Sequence, residues 1–341
     1  MIKKACLIIG FLAAFTACHA MRPAILKDST KTGPDVFAKS ITQEKLKHDL
    51  YIYASDEFEG RNTGDAGQKK AVAFLKNRYV ELGIESPIAP GDYFQEIPAK
   101  YLKRGLNDSE NVLAYIKGSE KPNEIIIISA HLDHIGIKNG EICNGADDDG
   151  SGTVAVLQIA EAFKKAAETG HGPKRTILFL HVTGEEKGLL GSKYYANIDP
   201  VLPLKNTIAD LNIDMIGRTD PKRESTNRNY LYLIGSDKLS TELHNISETV
   251  NEQCCNIEFD YKYNDDNDPN RFYYRSDHYN FAKNNIPVIF YFNGTHEDYH
   301  QPTDTPDKIQ YDLLENRARL IFYTAWELAN RADRIKVDKA N

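Results

Sequence analysis

Four short stretches of the chain are apolar throughout, with no alternation between apolar and polar residues. Their bounds are Glu124–Ala130, Thr176–Thr183, Leu211–Gly217 and Pro287–Gly294. Continuous runs of this length that are rich in β-branched residues are typical of strands buried on both faces. We therefore predict that these four segments form the centre of a sheet that is covered by helices.

Helical patterns separate the apolar runs. In Thr63–Gly83, for example, apolar side chains recur at helical spacing on one face, and Gly83 is suited to be the C-cap. Alternating strands and helices predict an α/β fold, a single three-layer domain with a central, mostly parallel mixed sheet flanked by helices. We expect further helices over Ser151–Gly170 and Glu186–Asn197, and further strands toward the sheet edges over Asn111–Gly118 and Tyr230–Ser236.

The N-terminus has the pattern of an export signal. Two lysines precede an apolar run, Ala5–Ala17, which is too short to span a bilayer but suits a signal peptide. The run ends in "FTAC", which resembles the lipobox of bacterial lipoproteins, where the cysteine, here Cys18, is acylated. Cleavage after Ala20, or an unmodified Cys18, are the alternatives. We predict a signal peptide over residues 1–20, a tether over 21–37 and one folded domain over 38–335.

These features predict an exported protein of a bacterium, periplasmic or in the outer membrane, that contacts the membrane only through a lipid anchor at Cys18. The 341 residues are 41% hydrophobic and 27% charged, which is ordinary globular composition. The net charge of -7 gives no basic patch for nucleic acid, and nothing in the sequence defines an oligomeric state. After export three cysteines would remain, an odd number, so we predict no disulfide framework. These are Cys143, Cys254 and Cys255.

Polar residues follow each of the four apolar runs. The segment "HLDH", His131–His134, follows the first run and "GEE" follows the second, while Asp214 lies at the end of the third and "THEDYHQPTDTP" follows the fourth. Open α/β sheets bind ligands beyond the carboxyl ends of their strands. We therefore expect these polar residues to meet at one edge of the sheet.

The segment "NGADDDGSG", Asn144–Gly152, places three aspartates between glycines. A calcium loop of the EF-hand type needs oxygen ligands at alternate positions, which contiguous aspartates do not supply. Taken alone, the segment is equally consistent with a solvated acidic turn. Together with the polar residues at the strand ends, it predicts a metal centre.

The residue types at the strand ends select the metal. Imidazoles and carboxylates without a thiolate suit zinc in a catalytic site. Two histidines and three acidic residues are too many for one tetrahedral ion that keeps an open position, and they suit two ions about 3.5 to 4 Å apart that share a carboxylate. The candidates are His131, Asp214, His300 and the adjacent pair Glu185 and Glu186, together with the aspartate cluster.

Six motifs in order carry a resemblance: "HLDH", "NGADDDGSG", "TGEEKGLLGS", "NIDMIGR", "RSDHYNFA" and "YHQPTDT". The chain resembles the co-catalytic di-zinc aminopeptidase family, which also contains glutamate carboxypeptidase-like and glutaminyl cyclase-like members. The resemblance extends from about residue 54 to about residue 309. It implies a zinc-peptidase fold and two Zn²⁺ ions per chain, with Asp148 bridging, His131 and Asp214 at one ion, and Glu186 and His300 at the other.

The resemblance also assigns roles in catalysis. It makes Glu185 the general acid/base and places Asp133 next to the ligand His131, which it would orient. The phenol of Tyr273 would stabilise a developing oxyanion. The resemblance also implies a cis peptide between Asp148 and Asp149. We therefore expect an exported zinc aminopeptidase that hydrolyses N-terminal residues of peptides with a water held between the two ions. Glu185 would take the proton of that water and return it to the leaving amine.

Three alternatives remain open. A carboxypeptidase of the same fold needs cationic groups for the terminal carboxylate of its substrate, which Arg271 and Arg275 could supply. A glutaminyl cyclase needs a single zinc ion and its relatives lack the "GADD" turn. A non-catalytic relative would have lost Glu185 or a metal ligand, and the sequence retains them all.

Overall fold

A mixed sheet of eight strands forms the centre of the protein. The computed structural model describes residues 33–103 and 105–339. Two further short strands, the fourth and fifth along the chain, form a separate hairpin that is not part of this sheet. The ten strands are β1 Phe94–Ile97, β2 Ser109–Ile116, β3 Lys121–His131, β4 Gly136–Lys138, β5 Glu141–Cys143, β6 Arg175–Val182, β7 Thr207–Ile213, β8 Tyr230–Ile234, β9 Glu258–Asp260 and β10 Val288–Phe292.

The four apolar runs occupy the centre of this sheet. The strand order is β1-β2-β6-β3-β7-β10-β8-β9. Neighbouring strands are parallel from β6 through β3 and β7 to β10, whereas β1, β2 and β8 pair antiparallel with their inner neighbours. In the register, Ile127 of β3 lies between Leu178 of β6 and Asp210 of β7. The predicted mostly parallel mixed sheet, with further strands toward its edges, is confirmed.

Helices cover both faces of the sheet. Along β3, Ile126 and Ile128 pack into the larger hydrophobic core, and Ile125 and Ile127 pack into a second core on the opposite face. Because both faces are apolar, the predicted three-layer arrangement is confirmed. The helices are α1 Pro34–Ala38, α2 Gln43–Tyr53, α3 Ala66–Glu81, α4 Gly152–Glu168, α5 Leu190–Asn197, α6 Thr241–Cys254, α7 His278–Ala282 and α8 Tyr311–Asn330.

The folded region begins earlier than the sequence analysis expected. Helix α1, Pro34–Ala38, begins inside the segment that we assigned to the tether, which ended at residue 37. Phe37 is buried, and its ring stacks on that of Trp326 in α8 with the ring centroids 5.7 Å apart. A short polar stretch with a single aromatic residue has no periodicity, so this docking was not visible in the sequence. The signal peptide and Cys18 lie outside the described residues.

Strand β7 is shifted from its predicted position. It spans Thr207–Ile213, whereas the apolar pattern predicted Leu211–Gly217. Asp210 interrupts the apolar run, but its carboxylate is buried and accepts a hydrogen bond from Ser129 Oγ at 2.8 Å. At the other end the chain leaves the sheet after Ile213, and Met215 has a positive φ of 60°. As a result Asp214 is the first residue beyond the strand.

Two smaller features bear on the sequence predictions. Adjacent residues Cys254 and Cys255 are joined by a disulfide, and Cys143 is buried and free. A bond between neighbouring residues closes no loop of the chain, so it does not amount to a disulfide framework. Among the described residues, no helix combines the length and the apolar character that a membrane span requires.

Candidate metal centre and active site

The carboxyl ends of the four central strands meet at one edge of the sheet, and the expected polar residues lie there. β3 ends at His131, β6 leads into Glu185 and Glu186, Asp214 follows β7, and the loop after β10 carries His300. Parallel strands present their carboxyl ends at the same edge, so the topology itself gathers these residues.

Two groups of side chains share Asp148. The Oδ1 atom of Asp148 lies 3.2 Å from His131 Nε2, which is also 3.6 Å from Asp214 Oδ1. The Oδ2 atom lies 3.1 Å from His300 Nε2, which is also 3.2 Å from Glu186 Oε2. The two oxygens of one carboxylate therefore face two different sets of ligand atoms. This is the arrangement expected of a carboxylate that bridges two ions.

A further histidine lies in the second group. His134 is fully buried, and its Nδ1 atom is 2.9 Å from Glu186 Oε1 and 3.7 Å from Asp148 Oδ2. Potential ligand atoms of these three residues all lie within 4.8 Å of one another. The sequence analysis did not assign His134 a role, although the residue belongs to the "HLDH" motif. Its position directly after a central strand was the available signal.

The three contiguous aspartates have different functions. Asp147 Oδ1 accepts hydrogen bonds from Ser151 Oγ at 3.0 Å and from the backbone of Gly217 at 2.6 Å. Asp149 accepts the backbone N–H of His131 at 3.2 Å through one oxygen and that of Met215 at 3.0 Å through the other. These bonds attach the turn to the ends of β3 and β7. Asp148 is thereby left free to face the metal positions.

The backbone around Asp148 matches the resemblance. The Asp148–Asp149 peptide is cis, as the resemblance implied. The carboxylate of Asp304 accepts the backbone N–H of Asp147 at 3.0 Å and that of Asp148 at 3.2 Å. Since Asp304 lies in the same loop as His300, these bonds couple the bridging turn to the segment that carries a second ligand.

A buried arginine joins three segments beneath the site. Arg61 Nε donates to the carbonyl of Leu132 at 3.2 Å, and its Nη1 atom donates to the carbonyls of Tyr53 at 3.1 Å and Asn144 at 2.7 Å. Its Nη2 atom donates to the carbonyl of Gly145 at 2.9 Å. The guanidinium thus fixes the "HLDH" segment relative to the aspartate turn. This role was not predictable from residue types, because every partner of the guanidinium is a backbone atom.

Asp133 positions the candidate acid/base. Its Oδ1 atom accepts the backbone N–H of Glu185 at 3.1 Å, and its Oδ2 atom accepts the hydroxyl of Thr63 at 2.7 Å. His131 Nδ1 contacts the backbone carbonyl of Asp133 at 3.0 Å, whereas the carboxylate lies farther away at 3.9 Å. The main-chain carbonyl of Asp133 therefore contacts the imidazole of His131, and its carboxylate holds the main chain of Glu185.

The phenol at the site is that of Tyr299, which corrects the assignment of Tyr273. The ring of Tyr273 packs against Tyr274, His278 and Tyr279, outside the cleft that contains Glu185. Tyr299 lines that cleft and stacks on His300, with ring centroids 3.9 Å apart. Both tyrosines lie in segments that the motifs included, and the sequence pattern alone does not show which ring faces the metal positions.

The cleft is acidic at one end and apolar at the other. Asp148, Glu185 and Asp214 line the end near the metal positions, and Arg275 and Thr295 also contribute to the lining. Four apolar side chains complete it: Met215, Phe272, Phe290 and Phe292. The cleft therefore places the acidic residues of the site beside apolar side chains.

The electrostatics of the second group favour ionised carboxylates. Burial alone would raise the pKa of Asp148, but the imidazoles of His134, His131 and His300 hold it well below its usual range. Burial and the charge of Asp148 would raise the pKa of Glu186, yet His134 and His300 lower it to about 2. Both side chains are thus available as anionic ligands at neutral pH.

Glu185 has the opposite electrostatic environment. Burial raises its pKa well above the usual range, and the neighbouring charges of Asp214, Asp277 and Glu186 add to this effect against the opposing influence of His131. A carboxyl group with a raised pKa is suited to exchange protons near neutral pH. The two adjacent glutamates therefore lie in opposite electrostatic environments, which raise the pKa of Glu185 and lower that of Glu186.

The residues present fit a pair of zinc ions. Asp148 Oδ2, Glu186 Oε1 and His134 Nδ1 are buried without a hydrogen-bond partner among the described residues. Buried polar atoms without partners are costly, and a shared cation would satisfy them. Imidazole and carboxylate ligands without a thiolate match zinc in catalytic sites.

Comparisons with known proteins agree with the geometry. A probable zinc metalloprotease of Pyrenophora teres f. teres is 38% identical over 120 residues, 33% of this chain but only 23% of that protein. Leupeptin-inactivating enzyme 1 of Streptomyces exfoliatus is 25% identical over 347 residues, 93% of this chain and 67% of that protein. The chain thus spans between about a quarter and two thirds of the length of these two relatives.

The fold is also that of a solved aminopeptidase. The LapA aminopeptidase of Legionella pneumophila superposes with a TM-score of 0.67 at 21% identity, over 88% of this chain and 75% of that chain. The model of peptidase family M28 matches residues 111–325, which is more than half of the chain. The resemblance drawn from the six motifs is therefore confirmed, and the protein belongs to peptidase family M28.

Proposed function

We propose that the protein is a zinc aminopeptidase that removes N-terminal residues from peptides. The observation that carries this proposal is that Asp148 divides its two oxygens between His131 with Asp214 and His300 with Glu186, with Glu185 in the same cleft. When bound, two zinc ions would lower the pKa of a coordinated water and polarise the scissile carbonyl.

Glu185 is the group that moves the proton. Its carboxyl group lines the cleft beside the metal positions, where it would accept the proton of the attacking water and then deliver it to the leaving amine. The hydrogen bond from its backbone N–H to Asp133 fixes the main chain from which the side chain extends. The phenol of Tyr299 lines the same cleft and is placed to donate a hydrogen bond to the oxygen that becomes negative in the transition state.

The lining of the cleft supports an aminopeptidase. Of the three carboxyl groups in the lining, that of Glu185 is not assigned to a zinc ion, and it lies where the free amino group of a peptide N-terminus would enter. The rings of Phe272 and Phe292, 4.9 Å apart, form part of the apolar wall that would receive the first side chain of the substrate. We therefore propose a preference for large apolar N-terminal residues.

One observation favours a carboxypeptidase as the second candidate. Arg275 lines the cleft, and a guanidinium there could bind the terminal carboxylate of a substrate. Arg271, the other arginine that we considered, is outside the lining and lies over the ring of Tyr274 at 4.9 Å. The solved structures that share this fold include the LapA aminopeptidase, so the aminopeptidase is the first candidate.

We also propose that the protein is exported and anchored by lipid at Cys18, as the lipobox-like segment suggests.

A substrate panel tests the proposed aminopeptidase activity. With the zinc-loaded protein, leucyl and phenylalanyl anilides should be hydrolysed, whereas the same compounds with acetylated amines should not. A peptide with a blocked N-terminus and a free C-terminus serves as the second arm. Release of its C-terminal residue, without hydrolysis of the anilides, would show that the protein is a carboxypeptidase and not an aminopeptidase.

A further inference from the structure

The "HLDH" motif contains one histidine that the proposed reaction does not use. His134 is fully buried, and neither of its ring nitrogens has a hydrogen-bond partner among the described residues. Its Nδ1 atom faces Glu186 Oε1 and Asp148 Oδ2, and both of these oxygens are also buried and unpartnered. Three potential ligand atoms that lack hydrogen-bond partners, His134 Nδ1, Glu186 Oε1 and Asp148 Oδ2, therefore face one another.

Their separations match ligands of a single ion. Zinc binds nitrogen at about 2.0 to 2.1 Å and carboxylate oxygen at about 2.0 to 2.2 Å, so two ligands of one zinc ion lie about 3 to 4 Å apart. His134 Nδ1 is 2.9 Å from Glu186 Oε1 and 3.7 Å from Asp148 Oδ2. The shorter contact does not have hydrogen-bond geometry, which is consistent with a cation joining the two atoms rather than a proton.

The surrounding chain holds the ring in this place. The backbone N–H of His134 donates to the carbonyl of Arg61 at 3.2 Å. Gly145, with a φ of 54°, lies against the imidazole, and a Cβ atom there would come within 2.6 Å of the His134 ring carbons. Both the glycine and the arginine therefore favour an imidazole turned toward Glu186.

We propose that His134 is a ligand of the zinc ion held by Glu186 and His300, so that this position has two imidazoles and the other has one. The inference rests on the proposed zinc-dependent function. His300 is about one-third exposed at the mouth of the site, whereas His134 is fully buried. With the second imidazole, the Glu186 position should retain its ion more tightly than the position of His131 and Asp214.

The experiment counts ligated imidazoles in the cobalt-substituted protein. An imidazole bound to Co²⁺ through one nitrogen carries an exchangeable proton on the other, which gives a strongly shifted proton resonance. Wild type should show three such resonances, from His131, His300 and His134, and His134→Ala should show two. The affinity for the more tightly held zinc ion, measured by competition with a chelator, should fall at least about 10- to 100-fold in His134→Ala, since even the loss of a group that only orients a ligand weakens metal binding by this much.

Two further variants make the result decisive. His134→Asn keeps a polar group near the Nδ1 position and serves if His134→Ala fails to fold. His278→Ala is the matched control, because His278 is equally buried and unpartnered but stacks on Phe290 at 4.9 Å. It should retain three resonances and the affinity of wild type.

The outcomes separate this inference from the proposed function. If wild type binds two ions and the His134 variants keep three shifted resonances or unchanged zinc affinity, His134 is not a ligand, and the proposed function is unaffected. If wild type takes up neither cobalt nor zinc, both are overturned. Loss of one resonance together with weaker binding of one ion supports the ligand role.

Discussion

Asp133 Oδ1 accepts the backbone N–H of Glu185 at 3.1 Å, which fastens the residue that follows β6 to the loop that follows β3. The same carboxylate accepts the hydroxyl of Thr63 through its other oxygen at 2.7 Å. The bond to Glu185 fixes its main chain, and so the point from which its side chain extends, without occupying the carboxyl group. This leaves the carboxyl group of Glu185 free to exchange protons, and it leads to the first prediction.

Glu185→Gln should abolish proton transfer without removing metal. Glutamine keeps the size and the hydrogen-bonding capacity of the side chain but cannot accept a proton, so kcat should fall by about 10² to 10⁴. Since the backbone bond to Asp133 remains, the variant should fold and bind zinc as wild type does. Steady-state kinetics on an aminoacyl anilide and elemental analysis measure the two effects.

Glu186→Ala is the contrasting variant. It removes a ligand, so it should lower the zinc content before anything else changes, and excess Zn²⁺ should restore part of the activity. Added zinc should not rescue Glu185→Gln. Near-normal turnover by Glu185→Gln, or the same loss of metal in both variants, would contradict the roles assigned to the two glutamates.

Tyr299→Phe should reduce kcat with a smaller effect on KM. If the Tyr299 phenol donates a hydrogen bond to charge that develops only in the transition state, its loss should cost about 10² to 10³ in kcat. The zinc content should not change. Tyr273→Phe is the matched control and should retain near-normal kcat, because the Tyr273 ring lies outside the cleft. A loss of kcat in Tyr273→Phe but not in Tyr299→Phe would show that Tyr273, and not Tyr299, donates this hydrogen bond.

The sequence predicted the parts of this site that depend on periodicity and on strand ends. Three of the expected ligands lie at the carboxyl ends of buried strands: His131 is the last residue of β3, and Glu186 and Asp214 come after β6 and β7. Parallel pairing of these strands alone brings them together. Arg61 was not predictable, because its partners are carbonyl groups of three separate segments, which any residue type can present. The orientation of Tyr299 likewise depends on the path of a loop and not on a repeat.

The same limit applies to the bounds of the elements. β7 was misplaced because Asp210 interrupts an apolar run, and only the tertiary structure shows that Ser129 supplies its hydrogen bond. Helix α1 was missed because five residues carry no periodic pattern, and its docking depends on the contact of Phe37 with Trp326. In both cases a contact between distant segments decides the local structure.

Export and lipid modification are tested on the N-terminus. If the "FTAC" segment is a lipobox, mass spectrometry of the membrane-extracted protein should find an acylated Cys18 as the first residue. Cys18→Ser should then release the protein from the membrane fraction while peptidase activity is retained, because the domain begins well after this residue. An unmodified N-terminus at Met21 in the mature protein would instead indicate cleavage after Ala20.

Arg61→Met should destabilise the protein strongly, although Arg61 touches no substrate. Its guanidinium makes four hydrogen bonds, to the carbonyls of Leu132, Tyr53, Asn144 and Gly145. A hydrogen bond from a charged donor contributes about 1.5 to 3 kcal/mol, and buried carbonyls left without a donor add a penalty. We expect the free energy of unfolding of the metal-free protein to fall by about 3 kcal/mol or more, measured by denaturant titration.

The contrast with an exposed arginine isolates the cause of that loss. Arg228 pairs with Asp312 at 2.5 Å on the surface, so Arg228→Met should cost at most about 1 kcal/mol. Arg61→Lys should recover only part of the stability, because an ammonium group has three donors and lacks the planar fork that reaches several carbonyls at once. Since the bonds of Arg61 hold the "HLDH" segment against the aspartate turn, zinc affinity should fall together with stability. Equal stabilities for Arg61→Met and Arg228→Met would show that the guanidinium does not hold these segments together.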